Sequence, residues 1–216
     1  MRDARSVSWS RWVLLLAALQ SSWITPWAQS PAAETPRAVS APSLDEGLLD
    51  PAWFSTDVLE FRQSGKPDYF WVRPGFVIDG RTLQFTPWPQ PELPAARDER
   101  DVKAAQKLNG GFPGRLAEKF AKELVGKARV VAADGDLRVY GRIVDCNAGT
   151  AIVFVWPHYT FELKFVDVAG ELQVAIHTRL VGKALKMNYG AWAGMIARPF
   201  RNGIESAWLR GERPES

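Results

Sequence analysis

Two histidines, His158 and His177, and one cysteine, Cys146, are the residues of this sequence best suited to acid/base or nucleophilic work. A Cys-His nucleophile pair requires Cys146 beside one of the imidazoles on a polar surface. A lone cysteine inside a folded segment is more often a small packed hydrophobe, and Cys146 is read so. His177 has the more specific context. If 159–167 and 172–181 pair through the turn Val168-Ala169-Gly170-Glu171, the register sets Phe165 against Val174 and Leu163 against Ile176. Glu162 then faces His177, and Thr160 faces Arg179, on the outer, polar side. An acid/base couple at Glu162 and His177 would need a lid over that face and a nucleophile such as Thr160. The long loops fall elsewhere. The pair is therefore predicted to be an exposed cross-strand contact worth at most about 1 kcal/mol, a weak candidate polar site, and no residue is assigned a catalytic role.

One cysteine rules out an internal disulfide and every multi-cysteine metal site, and two histidines leave little for zinc. Asp134 and Asp136, in Ala-Asp-Gly-Asp, fit a hairpin turn better than a cation site. Gly110, Gly111 and Gly114 lack the Lys-Ser/Thr of a phosphate cradle, and the sequence holds no GxGxxG, GxSxG or HExxH motif. No metal and no cofactor is expected. The aromatic residues are the remaining chemistry. Trp88 (Thr-Pro-Trp-Pro-Gln-Pro) and Trp156 (Val-Trp-Pro-His) lie beside prolines near strand ends, so these two are the candidate ligand-binding rings, expected to be exposed for stacking on a sugar ring or for lying at a membrane interface.

The elements that must position these residues follow from periodicity. Strands are expected at 69–73, 76–78, 81–85, 128–132, 137–145, 151–156, 159–167 and 172–181. A helix is expected over 95–108, stopped by Asn109-Gly110-Gly111. A second begins at Pro113, with Leu116, Phe120 and Leu124 as its buried stripe and Gly126 at its end. Trp192, Ile196, Phe200, Ile204 and Trp208 recur every four residues in a closing helix over 191–208, which Pro199 is expected to bend. Strands bracketed by helices without regular alternation define an α+β class with a mainly antiparallel sheet packed against helices.

The N-terminus reads as an export signal. Arg2, Arg5 and Arg11 precede an apolar run of eight residues, Trp12 to Leu19, followed by the small residues Ser21, Ser22 and Ala28. Eight residues span about 12 Å as a helix against roughly 30 Å of hydrocarbon, so no transmembrane anchor is expected after processing. The expected organisation is a signal peptide at 1–28, a disordered proline-bearing linker at 29–43 and one α+β domain at 44–210. Removing the signal takes three of the 27 basic and one of the 24 acidic residues, lowering the net charge from +3 to +1. That leaves no electrostatic case for nucleic acid.

The order of features resembles a family. Gly47-Leu48-Leu49-Asp50 with Trp53 and Phe54 is followed by Tyr69 and Val72-Arg73-Pro74-Gly75. Leu137-Arg138-Val139 then runs into Ile143-Val144-Asp145, a strand ends at Asp167 before Gly170-Glu171, and a Trp-rich helix closes the chain. Over about 44–208 this is similar to uncharacterised bacterial envelope proteins described as lipoproteins of a domain of unknown function. The resemblance implies an α+β domain in the periplasm or secreted, and no established activity. The lipidation cysteine of such proteins is absent here. The leading expectation is a non-catalytic module that binds an envelope protein or self-associates. A carbohydrate or peptidoglycan binder using Trp88 and Trp156 is the alternative, and a hydrolase of unrecognised type is the second.

Overall fold

The computed structural model describes residues 38–39, 48–54, 61–63, 68–149, 156–182 and 189–209. The expected signal peptide, most of the linker and residues 151–155 of the strand expected at 151–156 lie outside these residues.

Eight strands form one sheet among the described residues. They are β1 (Ala38–Val39), β2 (Phe61–Gln63), β3 (Tyr69–Val72), β4 (Thr82–Phe85), β5 (Arg129–Val131), β6 (Leu137–Asn147), β7 (His158–Asp167) and β8 (Leu172–Val181), in the order β1-β2-β3-β8-β7-β6-β4-β5. Two helices, α1 (Glu99–Glu123) and α2 (Tyr189–Leu209), complete an α+β fold. The pairings between β1 and β2, β2 and β3, β3 and β8, β6 and β7, and β7 and β8 are antiparallel; β4 is parallel to both its neighbours. β1 lies within the segment expected as a linker, where it pairs with β2 as an edge.

The centre is a three-stranded antiparallel unit of long strands. β7 and β8 pair in the register that side-chain alternation demanded: Phe165 with Val174, Leu163 with Ile176, Glu162 with His177 and Thr160 with Arg179. Phe161, Leu163 and Phe165 of β7, with Val174 and Ile176 of β8, face the helices and are fully buried. Phe165 stacks on Phe200 of α2 at 4.8 Å, and Phe161 on Phe112 of α1 at 4.8 Å.

α1 is a single helix where two were expected. Asp98 caps it, accepting a hydrogen bond from Asp101 N at 2.9 Å. The helix passes through Asn109-Gly110-Gly111 because the apolar stripe keeps one phase across them: Ala105, Leu108, Phe112, Leu116 and Phe120 are all buried against the sheet and α2. Pro113 removes only the donor that would serve the Asn109 carbonyl, a cost of about 3 kcal/mol that this continuous burial exceeds.

Two further expectations change. Residues 76–78 form no strand, although Phe76 and Ile78 are buried. The segment around Asp134 and Asp136 is not a hairpin turn, since β5 and β6 run parallel on either side of β4. It crosses β4, and a Cβ on Gly135 would sit 2.7 Å from Gln84 N, so only glycine permits the crossing. Asp136 pins the crossing by accepting bonds from Thr82 N and Thr82 Oγ1, both at 2.8 Å. Those bonds hold its carboxyl below the ordinary range.

Candidate functional site

Alternation places His158, Thr160, Glu162 and Lys164 of β7 on the sheet face away from the helices, beside Arg179, His177 and Ala175 of β8. β6 adds Tyr140 and Arg142. A bulge between Ile143 and Asp145 then shifts the register, so that Asp145 opposes Thr160. The outer face thus carries a row of ionisable groups.

That face is covered, contrary to the expectation of an exposed pair. Glu162 and His177 are fully buried. A 3-10 turn, Pro51–Phe54, lies over them, and Leu49 and Phe54 pack with Ala175 of β8, flanked by Trp53, Tyr69, Trp71 and Leu172. With water excluded, the cross-strand pair becomes a closed cluster. Glu162 Oε1 lies 3.0 Å from His177 Nδ1 and accepts from Asp50 N at 3.3 Å; Oε2 accepts from Arg142 Nε at 2.7 Å. Arg142 Nη2 is 2.6 Å from the same oxygen and reaches Asp50 Oδ2 at 3.3 Å. Both carboxylate oxygens are occupied by protein donors, which suits a structural clamp and not proton transfer to a ligand.

Trp53 is held by cations. The Arg142 guanidinium lies 4.7 Å and Lys164 Nζ 4.6 Å from its ring centre, and Lys164 Nζ donates to Trp53 O at 2.5 Å. Burial pushes the Lys164 ammonium below the usual lysine range; nearby Arg142 acts in the same direction and Glu162 opposes both. A cleft of about 370 Å³ opens here, walled by Trp53, Pro87, Pro89, Tyr140, Leu172 and Lys164.

A second cluster lies further along the face, centred on Arg97 and Asp145, which nothing in the sequence pairs. Asp145 accepts from Arg97 Nε at 2.6 Å and Nη2 at 2.7 Å. Burial would raise the Asp145 carboxyl, but the two-pronged arginine contact outweighs it and holds the group below its ordinary range. His158 is driven down by burial and then by Arg179, whose Nη2 lies 3.0 Å from His158 Nε2. The imidazole is therefore neutral at pH 7, and its 3.5 Å approach to Asp145 is not an ion pair. Thr160, the nucleophile an acid/base reading would need, is buried, and its Oγ1 finds no hydrogen-bond partner among the described residues. Cys146 is buried as expected. Burial first, then Asp101 and Asp145, push its thiol up to about 12, so it is no nucleophile at neutral pH. Asp101, in the first turn of α1, is buried and accepts from Ala148 N at 2.7 Å.

The two candidate aromatics part company. Trp88 is only 7% exposed, because Gly141 leaves a notch in β6 that the indole fills. A Cβ at Gly141 would lie 2.3 Å from Trp88 Cε2. The ring packs edge-on against Phe112 and Phe161 and cannot stack on a ligand. Trp156 is 48% exposed. Gly182 N donates to Pro157 O at 2.7 Å, which brings Trp156 to the same end of the sheet as Val181, itself 48% exposed, and Arg179.

Among the described residues no three His, Cys, Asp or Glu side chains converge to hold a metal ion, and no helix is long and apolar enough to cross a membrane. No family model and no curated protein matches the sequence. Two structures of the PelC dodecamer from Paraburkholderia phytofirmans are similar to this chain with a TM-score of 0.40, at 9% and 10% identity. Each match covers 61% of this chain and 94% of PelC. An uncharacterised protein matches with a TM-score of 0.29 at 12% identity, over 62% of this chain and 95% of its own.

Proposed function

We propose that this chain is an exported bacterial envelope protein whose domain is a non-catalytic protein-binding or assembly module, with the Trp156 end of the sheet as its contact surface. The observation that carries this reading is the half-exposed Trp156 at the same end of the sheet as the half-exposed Val181 and Arg179. An exposed tryptophan flanked by an aliphatic residue and an arginine has the composition of an interface anchor. The occupied carboxylates of Glu162 and Asp145 and the buried thiol support a non-catalytic role. The positive n-region and short apolar run support export. A glycan reading rests on the same ring, but a stacking platform calls for a second exposed ring, and Trp88 does not supply it.

The test is quantitative capture of binding partners, another copy of the chain included, by the parent and by Trp156→Ser and Val168→Ser. Val168 is 79% exposed at the opposite, turn end of β7 and β8 and serves as the control. The reading expects Trp156→Ser to weaken capture at least tenfold, with an unchanged thermal midpoint, and Val168→Ser to leave it intact. Equal capture by all three contradicts it.

A further inference from the structure

The cleft beside the 3-10 turn holds a positive charge, Lys164, that forms no ion pair among the described residues. Among the described residues, Arg142 is matched by Glu162 and Asp50, whereas Lys164 has no carboxylate within salt-bridge distance. One of its three donors goes to a neutral carbonyl, Trp53 O. The remaining walls, Trp53, Tyr140, Pro87, Pro89 and Leu172, are largely apolar, and the Thr86 hydroxyl is already committed to Val139 O at 3.1 Å.

We propose that this cleft binds a small organic carboxylate with an apolar, ring-sized body, the carboxylate meeting Lys164 and the body lying between Trp53, Tyr140 and the two prolines. The volume, about 370 Å³, is at the small end for a ligand pocket and limits the body to about that size. The lysine disfavours a cation. A sugar would bring several hydroxyls to walls that offer few free partners, leaving them unpaired on burial. An anion, by contrast, offsets both the burial of the ammonium and its repulsion by Arg142, the two causes that lower its proton affinity. This site is separate from the Trp156 surface and does not depend on it.

Phenylacetate, phenylacetamide and phenethylammonium, which share a ring but differ in charge, are suitable probes. Titrated into nitrogen-15-labelled protein, phenylacetate is expected to shift the Trp53 indole N–H saturably, with a Kd of about 1 mM or tighter. The amide and the ammonium are expected to bind at least tenfold more weakly. Lys164→Met removes the preference for the acid over the amide, Lys164→Arg keeps it, and Trp156→Ser leaves it unchanged. If Lys164→Met does not fold, the titration of the Lys164 ammonium in the parent decides: phenylacetate raises its pKa and phenylacetamide does not. Absence of a saturable shift at Trp53, equal binding of acid and amide, or a Lys164 titration blind to phenylacetate overturns the proposal.

Discussion

Glu162 holds the outer-face cluster together: Oε1 meets His177 Nδ1 and Asp50 N, and Oε2 meets Arg142. Its partner, His177, follows from alternation and a four-residue turn, both local features, and the observed register agrees. Its burial does not follow, because the cover comes from Asp50 and its neighbours, 112 residues away in the sequence. Once dry, the pair is no longer a contact of marginal worth. Glu162→Ala leaves Arg142 without its main counter-charge in a buried site and is expected to cost about 3–5 kcal/mol of unfolding free energy. Asp50→Asn, at a half-exposed group, is expected to cost less than about 1 kcal/mol; denaturant midpoints read both. His158 gives a pH dependence whose sign is fixed by its lowered proton affinity in the fold. The unfolded chain takes up a proton near pH 6.5 and the folded one only below that, so stability is full above about pH 6.5 and declines as the pH falls towards the folded value. Replacing His158 with glutamine is expected to flatten that decline, seen as a smaller difference between midpoints at neutral and mildly acidic pH; an unchanged slope contradicts it. The pairing of Arg97 with Asp145 left no trace in the sequence, since nothing local links a loop arginine to an aspartate on a bulged strand.

Among the elements, those carried by a strong period were legible and those set by topology were not. β7 and β8 show alternation over ten residues each, and the apolar repeat Trp192, Ile196, Phe200 and Ile204 of α2 is buried as its spacing demanded. α1 misled because Asn-Gly-Gly and Pro are strong local breakers, yet the stripe through Leu108, Phe112 and Leu116 keeps phase across them, and tertiary burial prevailed over propensity. The crossing at Gly135 was read as a hairpin because Asp-Gly suits both, and only the parallel placement of β4 distinguishes them. Trp88 and Gly141 act as a matched pair of strand notch and ring. Gly141→Ala drives a methyl into the indole and is expected to cost about 1–3 kcal/mol, measured by chemical denaturation, while Gly110→Ala, where a Cβ meets nothing within 4 Å, is expected to be neutral or slightly stabilising. Equal effects of the two would mean that the notch does not hold the ring.

At the scale of the molecule, the helices cover one face of the sheet, and the turn at Pro51–Phe54 seals the polar cluster on the other. The class was legible because strands without regular helical alternation exclude a doubly wound sheet; the cleft was not, because Trp53, Pro87, Tyr140 and Lys164 come from four separate segments. On the proposed function, the molecule works by contact through its Trp156 end. Photo-crosslinking in intact cells reads that contact, with a photoreactive phenylalanine analogue placed at position 156 in one strain and at position 168 in another. A discrete crosslinked protein species is expected from position 156 and none from 168. Crosslinks from 168 alone, or none from either position, would contradict it.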